Sequence, residues 1–174
     1  MNRVVLYIAV SLDGFIAGPN DDISWLFRYS DVDYGYNEFF SGIGAIIQGR
    51  RAYEVEVQHG WENAHPVPTF VLSHHLPERQ PQRGDIVFTD EDISEVLKKA
   101  KQLTSKDVWI EGGANVAQQF LDRDLIDEIV LSIVPVILGA GIRLFGKTHR
   151  PVEFSLREVR QFDKGLVQLI YARG

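Results

Sequence analysis

The sequence predicts an α/β fold: a mostly parallel sheet of about eight strands, an antiparallel hairpin at its C-terminal end and about four flanking helices. Three observations carry this expectation. Val4 to Val10 is an unbroken apolar run, as a strand buried on both faces requires. Short β-type runs then alternate with helical stretches, which demands crossover connections and a parallel sheet. The last third holds strand-like runs with no helical pattern between them, so the sheet must finish antiparallel.

Each element follows from local pattern. After the first strand, Val32 to Phe40 reads as a helix and Ala45-Ile46-Ile47 as a strand. A helix over Arg51 to Gln58 follows, then short strands at Thr69 to Leu72 and Ile86 to Phe88. Ile93 to Leu103 is the best-defined helix: Asp90 or Asp92 can cap it, Glu95 lies early, and Lys98, Lys99 and Lys101 favour its C-terminal end. Val108 to Ile110 forms a strand and Ala114 to Asp122 a helix. Glu128 to Ile137, Glu153 to Arg160 and Leu166 to Tyr171 are strands, with Asp163-Lys164-Gly165 turning the last pair into a hairpin. Pro66, Pro68, Pro77 and Pro81 punctuate loops, so residues 1–174 form one domain.

Composition narrows the function. With 174 residues, 45% of them hydrophobic, the chain can build one full core. It contains no cysteine, which removes disulfides, thiolate nucleophiles and cysteine-containing metal sites. Its net charge is −6, and no Lys/Arg cluster offers phosphate neutralisation, so nucleic acid is not an expected partner. The N-terminal apolar run is too short for a signal peptide. The later run Ile129 to Leu138 contains Ser132 and Pro135 and cannot span a bilayer as a helix. These features predict a cytoplasmic protein without a membrane partner. No Gly-x-Ser-x-Gly elbow occurs. Adjacent His74 and His75 lack a third ligand at suitable spacing, so no metal site is expected.

In an open α/β sheet, ligands bind where strand ends feed helices, and three such junctions stand out. Gln48-Gly49-Arg50-Arg51 combines a tight turn, helix-start amides and two guanidinium groups, all suited to an anion. A glycine turn with solvated arginines would read the same way. In Glu111-Gly112-Gly113-Ala114-Asn115, paired glycines let backbone approach a diphosphate at a helix start, although close helix–sheet packing also selects glycine. Leu72-Ser73-His74-His75 offers hydroxyl and imidazole donors to a phosphate, or is a plain surface loop. Asp31, Asp33 and Glu38 lie among Trp25, Phe27, Tyr34 and Tyr36, where a carboxyl with a raised pKa could donate a proton. Capping of a helix by Asp31 or Ser30 is the competing explanation.

Five strings together resemble a known family. Ala9-Val10-Ser11-Leu12-Asp13-Gly14-Phe15-Ile16-Ala17 is similar to the first strand and loop of the dihydrofolate-reductase-like superfamily, closest to the reductase domain of riboflavin biosynthesis. Gly49-Arg50-Arg51-Ala52-Tyr53-Glu54, Val71-Leu72-Ser73, Ile110-Glu111-Gly112-Gly113-Ala114 and Pro135 to Gly141 resemble further strings of that superfamily, in the same order.

The resemblance implies NADPH. Arg50, Ser73 and His74 would face the adenosine 2′-phosphate. Gly49 and Arg51 would lie near the diphosphate with Gly112, Gly113, Ala114 and Asn115. Ala9, Ile16 and Ala17 would line the nicotinamide. Asp31 or Asp33 would anchor or protonate the substrate, with Trp25 and Phe40 walling its pocket. Hydride would pass to a small heterocyclic or ribosylamino-pyrimidine substrate such as 5-amino-6-(5-phosphoribosylamino)uracil, whose phosphate would need a cation such as Arg143 or Lys147. Reduction of dihydrofolate or another pterin is the alternative, and a nucleotide-binding module without turnover a third. Ala52 departs from the family's hydroxyl residue at that place, and a chain without cysteine cannot supply the zinc of a fused deaminase. The apolar C-terminal strands, near an open sheet edge, predict a homodimer.

Overall fold

The computed structural model describes residues 2–75, 77 and 81–174. In chain order the elements are β1 (Val4–Ser11), β2 (Phe15–Ala17), α1 (Tyr36–Ser41), β3 (Ile43–Gly49), α2 (Arg50–Gln58), β4 (Thr69–Leu72) and β5 (Ile86–Thr89). They continue with α3 (Ile93–Leu103), β6 (Asp107–Gly112), α4 (Ala114–Asp122), β7 (Glu128–Val134), β8 (Ile142–Arg143), β9 (Phe154–Gln161) and β10 (Val167–Arg173). Eight strands form one sheet in the order β5-β4-β3-β6-β1-β7-β10-β9, while β2 and β8 pair separately. From β5 to β7 every pairing is parallel; β10 runs antiparallel to β7 and β9. This is the α/β, dihydrofolate-reductase-like sheet with an antiparallel C-terminal hairpin that the sequence predicts.

Strand alternation divides the core between two faces. Val4, Leu6 and Val10 of β1 pack with Ala45, Ile47, Val108 and Ile110 beneath α3 and α4. Helix α3 presents Ile93, Val96, Leu97 and Ala100 to that face, the i, i+3, i+4, i+7 stripe of an amphipathic helix. Its cap is Asp92, which accepts from the Ser94 amide at 2.9 Å. Phe120 of α4 is fully buried there, and truncating such a residue to alanine costs about 3–5 kcal/mol. On the other face Ile43, Ile46 and Trp109 pack against Tyr7, Tyr36, Phe39 and Phe40.

Two expectations need correction. The helix expected over Val32 to Phe40 is only Tyr36–Ser41, because Tyr34 (φ 51°) and Gly35 (φ 78°) turn left-handed and stop it extending backwards. Residues Ser24–Tyr29 form a 3₁₀ helix instead. The strand expected to reach Ile137 ends at Val134, immediately before Pro135, whose missing N–H cannot continue a ladder. The short pair β2/β8 has too few residues to leave a periodic signal. Among the described residues, no helix is long and apolar enough to cross a membrane.

Candidate active site

Strands β3 and β6 lie side by side with Gln48 opposite Gly112. The chain then leaves β3 toward β4 on one side and leaves β6 toward β7 on the other. That divergence opens a crevice at the strand C-termini, the usual ligand position of an open α/β sheet. A cleft of about 830 Å³ occupies it.

Eleven of the twelve residues predicted to hold a cofactor line this cleft: Ala9, Ile16, Ala17, Gly49, Arg50, Arg51, Ser73, His74, Gly113, Ala114 and Asn115. Gly112 lies just behind, buried, at φ +117°, a conformation that favours glycine. Helices α2 and α4 both open onto the cleft from glycine N-caps, Gly49 and Gly113, and neither has a side-chain cap. Their first-turn amides therefore lack the side-chain acceptor that Asp92 supplies to α3, and suit a diphosphate. A Cβ on Gly113 would meet only Ile16 Cδ1, at 3.8 Å, so packing does not demand glycine there. Arg50 is held by Glu54 at 2.6 Å and Arg51 by Asp21 at 3.1 Å, which keeps both guanidinium groups along the cleft. These residues fit a dinucleotide phosphate chain.

The Ser11-x-Asp13-Gly14 string is a clamp. Asp13 accepts from Ser11 Oγ at 2.6 Å and from the Leu138 and Gly139 amides at 3.1 and 2.7 Å. The Ser11 hydroxyl and these amides hold its carboxyl down at about 2. It thereby ties the loop after β7 to the β1–β2 turn, where Ile16 and Ala17 enter the cleft.

The carboxylates expected to serve the substrate stand elsewhere. Asp31 is exposed and paired with Lys164, whose hydrogen bond lowers its pKa, the reverse of what a proton donor needs. Asp33 is exposed and accepts from the Asn37 amide at 3.0 Å, serving the start of α1. Neither lines the cleft. Trp25 packs against Tyr29, Tyr34, Val134 and Leu166. Phe40 stacks on Tyr36, lies 5.6 Å from His65 and does not line the cleft. Arg143 sits over the Phe15 ring at 4.6 Å, with only its neighbour Ile142 reaching the cleft. Lys147 is exposed and is not a lining residue.

Glu56 and Glu111 are the poorly exposed carboxylates that come together in the cleft. Both line the cleft, and their side chains are 12% and 16% exposed. His65 Nδ1 lies 3.0 Å from Glu56 and 3.6 Å from Glu111. Gln48 donates to Glu56 at 2.9 Å, and Glu111 Oε2 is buried with no hydrogen-bond partner among the described residues. Burial, then repulsion by Glu56, pushes the Glu111 carboxyl well above its ordinary value. Burial likewise raises Tyr36, with Glu111 as its strongest charged neighbour. Rings of Tyr36, Phe40 and Trp109 surround His65. The three ligand-type atoms of Glu56, His65 and Glu111 lie within 4.8 Å of one another and could also hold a divalent cation. One signal for Glu111 was visible in the sequence, a carboxylate ending an apolar strand just before a glycine pair. Glu56 and His65 gave none, since only tertiary packing brings them to it.

Comparison with known proteins gives a consistent picture. The family model of the RibD C-terminal domain matches residues 2–168. The uncharacterised protein YwjB of Bacillus subtilis is 34% identical, over 98% of each chain. A Shewanella sp. PV-4 structure, assigned provisionally to riboflavin biosynthesis, superposes with a TM-score of 0.88 at 26% identity and 99% coverage of both chains. A dihydrofolate reductase of Enterococcus faecalis, solved with NADP(H), shares the fold: TM-score 0.68 at 16% identity, covering 99% of this chain and 96% of the other.

Proposed function

The chain belongs to the RibD C-terminal domain family, and from that premise we propose that it is an NADPH-dependent reductase of a small heterocyclic substrate. The observation that carries this reading is the convergence on one cleft of two uncapped helix N-termini, two arginines and an apolar floor. The α2 and α4 amides hold the diphosphate, Arg50 with Ser73 and His74 holds the 2′-phosphate, and Ala9, Ile16 and Ala17 bed the nicotinamide. When bound, the cofactor supplies hydride.

The chain's own part is orientation, exclusion of water and the proton. As a C=N or C=O carbon accepts hydride, its heteroatom must gain a proton. Glu111, whose carboxyl is pushed well above its ordinary value by burial and then by Glu56, donates it and is left as a carboxylate that recovers a proton from solvent. The same groups support both the ribosylamino-pyrimidine and the pterin readings. A screen of such compounds at 340 nm tests the proposal, with NADPH oxidised in the presence of one of them; binding of NADPH without oxidation by any would favour a nucleotide-binding module.

The proposal extends to a cytoplasmic homodimer. Strand β9 is one of the two edge strands of the sheet and exposes Leu156 and Val159, each about half accessible, at 53% and 51%. Pairing around a twofold axis would cover both.

A further inference from the structure

Three elements bring an imidazole and two carboxylates to one point. Glu56 stands in the last turn of α2, Glu111 near the end of β6 and His65 on the loop after α2. Arg83 donates to the His65 and Val67 carbonyls, which holds that loop in place. His65 Nδ1 lies 3.0 Å from Glu56 Oε1 and 3.6 Å from Glu111 Oε1. A tetrahedral ion with bonds of about 2.0–2.1 Å sets its ligand atoms about 3.3–3.4 Å apart, between these two separations. Independent observations point to the same place. Gln48, 1% exposed, extends its amide to Glu56 at 2.9 Å, and its Oε1 is buried with no hydrogen-bond partner among the described residues. Glu111 Oε2 is in the same condition. Buried acceptors without donors call for a water or a cation. The other acids lining the cleft differ: Asp21, Glu91 and Asp92 pair with Arg51, Lys99 and Arg123, and Asp90 is exposed. Among the described residues, Glu56 and Glu111 have ion-pair contact with His65 alone.

We propose that Glu56, His65 and Glu111 bind one divalent transition-metal ion of the zinc class, with its remaining position open to the cleft that both glutamates line. An imidazole with two carboxylates suits Zn²⁺, whereas Mg²⁺ and Ca²⁺ take oxygen ligands in larger number. A divalent ion also neutralises two carboxylates that otherwise face each other in a poorly solvated corner. The site goes beyond the reductase reading and does not rest on it. An ion there takes the Glu111 oxygen that the reading offers to the acceptor, so the metal-bound and turnover forms are alternatives, and the readout is binding rather than activity.

The test is a calorimetric titration of Zn²⁺ into untagged, chelator-stripped protein at neutral pH. Wild type should take up one ion per chain, and excess Mg²⁺ should not displace it. His65→Ala and Glu111→Gln should each weaken binding at least about tenfold, since even the loss of an outer-shell partner costs roughly 10–100-fold. Glu111→Gln keeps the shape of its side chain, so it reads the site even if His65→Ala fails to fold. The double variant His74→Ala/His75→Ala removes the adjacent histidines of the Ser73 loop and should bind as wild type does. Zn²⁺ should also raise the melting temperature of wild type and leave that of Glu111→Gln unchanged. No uptake by wild type, uptake undiminished in Glu111→Gln, or uptake lost with His74 and His75 overturns the proposal. NADPH is titrated separately: its failure to bind would overturn the reductase reading and leave the metal result standing.

Discussion

The two ends of the cleft are built by different means. The end proposed for the cofactor is made from backbone: two strand-to-helix junctions, each a glycine followed by an uncapped helix start. The acceptor end is made from side chains that converge from α2, β6 and the loop after α2, with Glu56, Glu111 and His65 separated by up to 55 residues in sequence. A site built from backbone is written in short contiguous strings. A site built from side chains exists only once the sheet has formed, and its chemistry, a carboxyl raised by burial and by a second carboxyl, belongs to no single segment.

The sharpest way to break this division is at the acceptor end. Glu111→Gln keeps the shape of the side chain and removes the transferable proton. It should lower kcat by roughly 10²–10⁴-fold, the usual contribution of general acid catalysis, and leave NADPH affinity within about twofold. The sign on stability is opposite to the usual loss. A carboxyl whose folded pKa is raised binds its proton more tightly when folded, so wild-type stability falls as pH rises above the ordinary carboxyl range. The glutamine variant should therefore equal or exceed wild type in melting temperature at pH 8. Loss of NADPH affinity parallel to kcat would merge the two ends into one.

At the cofactor end, Gly113→Val should weaken NADPH by at least about tenfold, because a branched side chain would stand where phosphate must approach backbone. The protein has room for the first added carbon, with Ile16 at 3.8 Å, so a native circular dichroism spectrum is expected. Unchanged NADPH binding in the folded variant would remove the diphosphate from α4.

The same contrast explains what the sequence could and could not disclose. Ile93–Leu103 was legible to the residue because the Asp92 cap and the apolar stripe coincide, and Ala114–Asp122 from its apolar stripe after the glycine pair. The glycine–arginine and glycine–glycine junctions were legible as strand-to-helix turns because local backbone geometry is written in short strings, and both line the cleft. Asp31 and Asp33 misled because acids among aromatics predict a perturbed carboxyl only if the segment is buried. Left-handed Tyr34 and Gly35 begin α1 late and leave both acids in solvent. Arg143 misled similarly: its neighbour faces the cleft, and strand alternation turns Arg143 the other way, over Phe15.

Asp13 ties the loop after β7 to the β1–β2 turn, and its effect is smaller. Asp13→Ala should lower the melting temperature by a few degrees at pH 7 by releasing the Leu138 and Gly139 amides. Because the folded pKa is depressed to about 2, the clamp is fully present above the ordinary aspartate value of 3.8 and is lost as pH falls through about 2. The gap between variant and wild type should close across that window in a pH series of thermal melts. A gap independent of pH would assign the effect to packing. Assembly should alter neither end: light scattering at micromolar concentration should give about twice the 19.7 kDa chain mass. A monomer would leave the β9 edge uncovered.

We propose that this cleft holds NADPH, with Arg50 on its 2′-phosphate. The most direct measurement is a fluorescence titration of wild type and Arg50→Ala with both NADPH and NADH. Wild type should prefer NADPH, and the variant should lose roughly 10–100-fold toward NADPH while NADH changes little, the cost of one charge-assisted pair at about 1.5–3 kcal/mol. Equal losses toward both cofactors, or no binding of either by wild type, would contradict the account.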